Sequence, residues 1–381
     1  MSEYQYYEFL SIDRPLTAQE REELRALSTR AQITTVSFTN VYNYGSFKGN
    51  PATLMQRYFD AHVYLANWGH CRLSLRLPRD ALDDPIAATY GTESTLVIKE
   101  AGEYWIIDWE LSESESDRFY QEDGSGWMSR LTPLRDEMLR GDWRGLYIGW
   151  LAGVTAGEME EDDREPPLPA GMNTLTAAQR ALAEFLDVDP DLLAGAASAS
   201  VDAPADQTVD ASDAWLAALP ADEVCELLRL LLAGQGRFAE RTLKARFAAW
   251  LRSQQPTRIE PARRTVSELQ QRAEEARQSR HRQEIAARAR AEAERRQVRE
   301  AALRRLAENF EGAWAVADQM ASQGTATSYD QARQTLVDLA DAYELCATRP
   351  QFQERLQQFM APYARRSAFV RRLVAAGLWQ K

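Results

Sequence analysis

The residue types that could do chemistry are sparse in this chain: three histidines, three cysteines and scattered acidic pairs. Histidine titrates near neutrality and supplies many acid–base catalysts and zinc ligands. His62 falls in line, at helical spacing, with Met55 and Phe59, on what reads as the second helix. His70 lies in the turn Trp68-Gly69-His70 ahead of a strand, and His281 sits in a long charged stretch. A structural zinc needs Cys and His clustered at short spacing, and only Cys71, beside His70, has such a neighbour; Cys225 and Cys346 have none. Gly124-Ser125-Gly126 reads as a turn before Trp127, not as the strained elbow of a nucleophilic serine. A Gly-rich loop ending in Lys and Ser or Thr is missing, as is a dinucleotide fingerprint. Asp83-Asp84 and Asp162-Asp163 lie in polar stretches and read as solvated charge. These residues point to no catalytic set, no metal and no cofactor.

The elements that would have to position any site fall into two composition classes. At 381 residues with 45% apolar content, the chain should hold two or three domains. Three cysteines, odd in number and far apart, speak against a disulfide framework and fit a reducing cytoplasm. No run of about 18 apolar residues occurs and the N-terminus has no charged-then-apolar leader, so neither export nor a membrane span is expected. The net charge of −12 is split: about −18 before residue 258, about +6 from 258 to 306, and near zero beyond.

Residues 1–156 read as an α+β domain. Tyr4 to Ile12 suits a strand; Cys71, Leu73, Leu75 and Leu77 alternate with polar residues in a half-buried strand; Thr95 to Ile98 and Tyr104 to Trp109 flank a turn and make a hairpin. Thr17 with Glu20 caps one helix, and Asn50 followed by Pro51 opens another. Strand signal ends after Trp150 and an all-α region follows. Residues 157–172 read as an acidic, Pro-rich linker, 173–196 as a short helical segment capped by Thr176 and Gln179, and 197–212 as a flexible linker. Residues 213–256 form a helical domain in which Val224, Leu227, Leu228, Leu231 and Leu232 make one strongly apolar helix.

Residues 258–324 read as a long charged helical arm, with no proline or glycine between Pro261 and Gly312. Thr265 and Glu268 cap it, and Glu268–Arg272, Glu284–Arg288, Glu292–Arg296 and Glu300–Arg304 are pairs four apart. From Gln270 to Gln297 only Ile285 is apolar and larger than alanine, too little for a coiled-coil seam, so the middle reads as a strut. Leu303, Leu306, Phe310, Ala313, Ala317 and Met320 begin a real seam, and a helix capped by Ser328 and Gln331 should fold back on it. Residues 325–381 would complete a C-terminal helical bundle.

Two groups of residues stand out as a candidate partner surface. Aromatics crowd the first domain, and Trp105, Trp109, Trp143 and Tyr147 are of the types in which binding energy concentrates. The acid-free tail carries Arg365, Arg366, Arg371, Arg372 and Lys381, suited to an acidic partner. Arginine in the arm is interleaved with glutamate and no aromatic, which favours a self-paired solvated helix over a phosphate track.

Tyr4-Gln5-Tyr6-Tyr7-Glu8-Phe9 with Asp13-Arg14-Pro15-Leu16-Thr17, Tyr58-Phe59-Asp60-Ala61 through Ala66-Asn67-Trp68-Gly69, and Leu146-Tyr147-Ile148-Gly149-Trp150-Leu151 resemble an uncharacterised family of bacterial proteins. That family implies no activity. Ser328-Tyr329-Asp330-Gln331-Ala332 through Leu339, then Phe352 through Leu378, resembles the C-terminal helical segment of some bacterial SWIM zinc-finger proteins, without the zinc motif, and so implies a shared helical docking module. The expectation is a cytoplasmic, non-catalytic adaptor that holds protein partners at a distance through its long helix. The alternatives are a protease-cleaved regulatory substrate in a bacterial defence or stress cassette, and a nucleic-acid-binding protein using the basic C-terminal half.

Overall fold

The strands form where aromatic and β-branched residues can be buried on two faces at once. They are β1 (Gln5–Leu10), β2 (Gln32–Ile33), β3 (Ser37–Tyr42), β4 (Ala61–Ala66), β5 (His70–Pro78), β6 (Leu96–Ala101) and β7 (Tyr104–Leu111) in this computed structural model, which describes residues 3–45, 47–112, 114, 123–202, 208–254 and 263–380. They make one antiparallel sheet in the order β2-β3-β1-β4-β5-β7-β6. The chain divides into two units, Met1–Ser279 and Arg280–Lys381.

In the first unit all six residues of β4 are buried, because helices cover both faces of the sheet there. Ala61, Val63, Leu65, Leu73, Leu75 and Ile107 face one core; Phe9, Phe38 and Tyr64 face the other. The second core is closed by α1 (Ala18–Leu27) and α2 (Pro51–Arg57), which bring Leu24, Leu54 and Met55. Both start at the caps read from sequence: the Thr17–Glu20 capping box is complete, and the Asn50 side chain accepts from the Thr53 N–H. Cys71, Leu73, Leu75 and Leu77 are fully buried as their alternation implies. Ser74 and Arg76 are buried too, so β5 is covered on both sides and not half-exposed.

His62 corrects the helical reading. The second helix stops at Arg57, and His62 lies in β4 opposite Phe9 and Ser74. Met55, Phe59 and His62 step by four and three as a helix would, but the helix holds only Met55; from Ala61 the backbone pairs with β1 on one side and β5 on the other.

The first core is closed by α3 (Asp84–Tyr90), α4 (Trp127–Leu131), α5 (Pro133–Leu139), α6 (Arg144–Thr155), α7 (Ala177–Phe185) and α8 (Pro190–Ala197). Gly149 in α6 is there for the Trp109 ring: a Cβ would come within 2.6 Å of the indole. The linker reading of 157–172 is also corrected. Glu165 is 4% exposed, its backbone N–H donates to the Arg264 carbonyl at 2.9 Å, and Arg164 bridges Thr265. The Glu165 carboxylate accepts from Arg264 Nε at 2.7 Å and from the Tyr147 hydroxyl at 2.7 Å. A buried acid with two donors is a fastener, however polar its neighbours. Of 197–212, residues 203–207 lie outside the described residues; Ala197 still belongs to α8 and Thr208 already opens α9.

Helices α9 (Thr208–Ala218), α10 (Ala221–Leu232) and α11 (Gly236–Gln254) pack around Leu227 and the Trp215–Phe247 ring pair, centroids 5.1 Å apart. Residues 258–262 of the arm and Lys381 lie outside the described residues. Then α12 runs from Val266 to Ala307, 42 residues, opened by the Thr265–Glu268 capping box. Its first turns complete the first core: Val266, Leu269 and Ala273 are buried, and Gly195 brings α8 within 2.7 Å of the Ala273 amide nitrogen, measured from where a Cβ would sit.

In the second unit every residue from Arg280 to Arg299 is exposed, as expected of its composition. Of the four spaced pairs read from sequence, Glu300–Arg304 is formed; Arg272 bridges Glu275 instead, and Glu284 bridges Arg280. The helix does not continue to 324. Asn309 leaves the helical conformation and its side chain accepts from the Gly312 N–H, starting α13 (Phe310–Gln323) without any proline. The seam then packs on α14 (Ala326–Cys346), with Phe310 stacked on Tyr343 at 4.0 Å and Leu336 and Leu339 fully buried. The α14 cap is Thr325 with Ser328, three residues earlier than Ser328 with Gln331. Helices α15 (Arg349–Met360) and α16 (Ser367–Ala375) finish the bundle around Trp314, Phe359 and Phe369.

Replacing Glu165 with Gln leaves Arg264 charged, largely buried and short of its counter-ion. The expected cost is about 3 kcal/mol in holding the start of α12, which should speed amide exchange at 266–273 roughly 100-fold. Tyr147→Phe removes one hydrogen bond and should have a clearly smaller effect. Equal protection in wild type and Glu165→Gln would contradict this role.

Candidate functional site

The residues with catalytic types are assembled on the sheet, but in an order that cannot work as a hydrolytic relay. His62, Ser74 and Asp108 occupy one row across β4, β5 and β7. The Ser74 hydroxyl donates to Asp108, while His62 Nδ1 lies 3.0 Å from the Glu8 carbonyl. A carbonyl only accepts, so Nδ1 carries the proton. Activation of a serine needs the imidazole between hydroxyl and carboxylate; here serine stands between the other two. Burial holds the His62 pKa down to about 3, with the ring stacked 3.9 Å from Phe9, so it stays neutral. Burial pushes the Asp108 pKa up.

His70 belongs to a different group. Its Nε2 meets Glu110 at 2.8 Å, and Arg72 Nε donates to the same carboxylate at 2.9 Å. Burial works against the charged form of Glu110, but His70 and Arg72 outweigh it and lower its pKa. This is a satisfied ion cluster on the sheet surface. Cys71 is buried and its thiol donates to the Phe185 carbonyl at 3.0 Å; Cys225 and Cys346 are exposed, and all three are free thiols. Among the described residues no three His, Cys, Asp or Glu side chains gather where they could hold a metal ion. No helix among them is long and apolar enough to cross a membrane.

The aromatic half of the predicted partner surface is core. Trp105, Trp109 and Tyr147 are at most 4% exposed, and Trp143 packs partly buried against the same cluster. Their polar atoms are satisfied inside: Trp109 Nε1 donates to the Gly145 carbonyl and Trp105 Nε1 to the Leu82 carbonyl. Large aromatics fill a sheet sandwiched between helices before they are available to a partner. The basic half is divided. Arg366 donates to the Ala321 carbonyl at 2.7 Å, capping α13 from outside, and lies over the Tyr363 ring; Arg372 pairs with Asp330 at 2.8 Å. Arg365 and Arg371 face solvent.

The surface that composition did not single out is on α10. Val224, Leu228, Leu231 and Leu232 recur at i, i+4, i+7 and i+8, and are 37%, 51%, 53% and 89% exposed. Leu227 alone on this helix is buried, against α11. Leu216 on α9 and Phe238 on α11 are about half exposed as well. A stripe of this kind on a helix is a surface built to be covered, since scattered single apolar residues are ordinary and a continuous row is not. The signal was present in the sequence as six large aliphatic residues spread over more than one face of a 12-residue helix.

The buried imidazole gives a pH dependence with a definite sign. Unfolded, His62 titrates near 6.5; folded, near 3, so between these values only the unfolded chain takes up the proton. Stability is full above pH 6.5 and declines as pH falls, by up to about 1.4 kcal/mol per unit. Urea unfolding at pH 6.5 and 5 should show a loss of about 2 kcal/mol in wild type that His62→Gln does not share. An identical pH slope in both proteins would remove His62 as its source.

No family model matches the chain, and neither a curated protein nor a solved structure is significantly similar to it.

Proposed function

We propose that this chain is a non-catalytic adaptor of the reducing cytoplasm, holding protein partners through the α9–α11 helices and using α12 as a spacer. The observation that carries this reading is the exposed stripe Val224, Leu228, Leu231 and Leu232. An amphipathic helix of a partner is the matching shape, read as apolar anchors at three- and four-residue steps. The spacer is supported by composition: every residue from Arg280 to Arg299 is exposed, and Ile285 and Val298 are the only apolar side chains larger than alanine among them. Its exposed charges suit a helix that stays in water.

The other two readings have less behind them. A basic track for nucleic acid could draw on Arg365 and Arg371, but several cations of this half are already paired: Arg299 bridges Asp338 and Asp341, Arg304 bridges Glu300, Arg355 bridges Glu311 and Arg372 pairs with Asp330. A protease acting between Glu158 and Ser212 would find the first linker, 157–172, held by Glu165 and by the Tyr90 hydroxyl on the Pro167 carbonyl at 2.7 Å; in the second, residues 203–207 lie outside the described residues.

The test is a partner recovered from the native host and then rebuilt from purified proteins. Leu228→Asp with Leu231→Asp changes two exposed side chains, so circular dichroism should be unchanged while affinity falls at least about tenfold. Full affinity in the double variant, or a wild-type chain that recruits no partner, would refute the reading.

A further inference from the structure

A cavity of about 480 Å³ opens where the end of β1, the start of β3, α5 and α11 meet. That volume is within the range of small-molecule sites. Its apolar lining is Leu10, Ile12, Val36 and Leu139. Among the described residues, three cations and three carboxylates also line it: Arg135, Arg140 and Lys244 with Asp13, Asp136 and Glu240. The described charges therefore balance, which suits a ligand that carries both signs.

These charges are not all used. Lys244 pairs with Glu240 at 2.6 Å, and Arg135 Nη2 donates to Asp13 at 2.9 Å. Arg135 is 2% exposed; its Nε donates to the Arg76 carbonyl at 2.8 Å, while its Nη1 has no hydrogen-bond partner among the described residues. A buried guanidinium with donors to spare is costly unless something else accepts from it. Asp136 and Arg140, four apart along α5 and its C-cap, are exposed at the same cavity, and neither side chain is paired among the described residues. One carboxylate and one guanidinium thus stand open over an apolar floor, with a buried guanidinium behind them.

We infer that this cavity binds a small zwitterion with an apolar body, of the class of apolar amino acids and short apolar peptides with free ends. The ammonium group would pair with Asp136, the carboxylate with Arg140 and the spare Nη1 of Arg135, and the apolar part would cover Leu10, Ile12, Val36 and Leu139. This proposal does not rest on the adaptor reading; it uses a different surface of the same unit.

Isothermal titration of the full chain with leucine, phenylalanine and leucyl-leucine tests it. At least one should bind one-to-one with a Kd of about 1 mM or tighter, and N-acetylation or C-terminal amidation should each weaken it about tenfold. Arg140→Gln and Asp136→Asn alter exposed groups and should each weaken the zwitterion about tenfold while narrowing the penalty for the matching cap. Val36→Trp, with folding checked by circular dichroism, should fill the cavity and abolish binding. The proposal is overturned by capped forms that bind as well as free ones, by surface variants that bind like wild type, or by no binding of any of the three probes.

Discussion

The carboxylate of Asp60 is the point on which the first unit turns. It is fully buried, and burial alone would neutralise it; Arg135 and Arg76 outweigh that and lower its pKa. One oxygen accepts from the backbone of Ile12 at 2.6 Å and of Asp13 at 2.9 Å, and the other from Arg76 at 2.8 Å. Arg76 also reaches the Met55 and Gln56 carbonyls at the end of α2, and Arg135 on α5 donates to the Arg76 carbonyl. The exit of β1, the end of α2, strand β5 and helix α5 are therefore registered by one acid. Such a network is a weak source of net stability compared with apolar packing, but losing one member strands the others. It fixes where β1 ends and α5 lies, and so shapes the cavity between them.

Much of the local structure was legible because its causes are local. Thr17 with Glu20, Asn50 before Pro51, Thr176 with Gln179 and Thr265 with Glu268 all cap helices as their spacing says, since cap and capped amide are three residues apart. The polar middle of α12 and the seam from Leu303 onward were legible for the same reason. What failed was whatever depended on a distant partner. Glu165 sits among prolines and acids that mimic a linker, while the arginine that buries it lies 99 residues on. Asp60, Arg76 and Arg135 have no common signature in the sequence; the pairing of β4 with β5 and the packing of α5 on β5 bring them together.

The candidate sites were the least legible of all. Tryptophan and tyrosine are the residues most favoured both in interfaces and in the cores of covered sheets, so their type could not decide between the two for Trp105, Trp109 and Tyr147. The leucines of α10 carried better information, because the excess was in number and not in type. A short helix can turn only one face to its neighbours, and α10 has apolar residues for two. The zwitterion cavity had no sequence signal, as its walls come from four separate stretches of chain.

Residues 263–273 close the core of a unit whose sheet is finished by Leu111. During synthesis, then, the sheet and most of its covering helices emerge long before the segment that seals them. Until Arg264 arrives, Glu165 has neither its cation nor the segment that covers it, and the side of α8 at Gly195 lacks the Ala273 backbone that packs there. The nascent head is committed to a fold that it cannot yet complete, and the ribosome has moved some 150 residues past the last strand before it can.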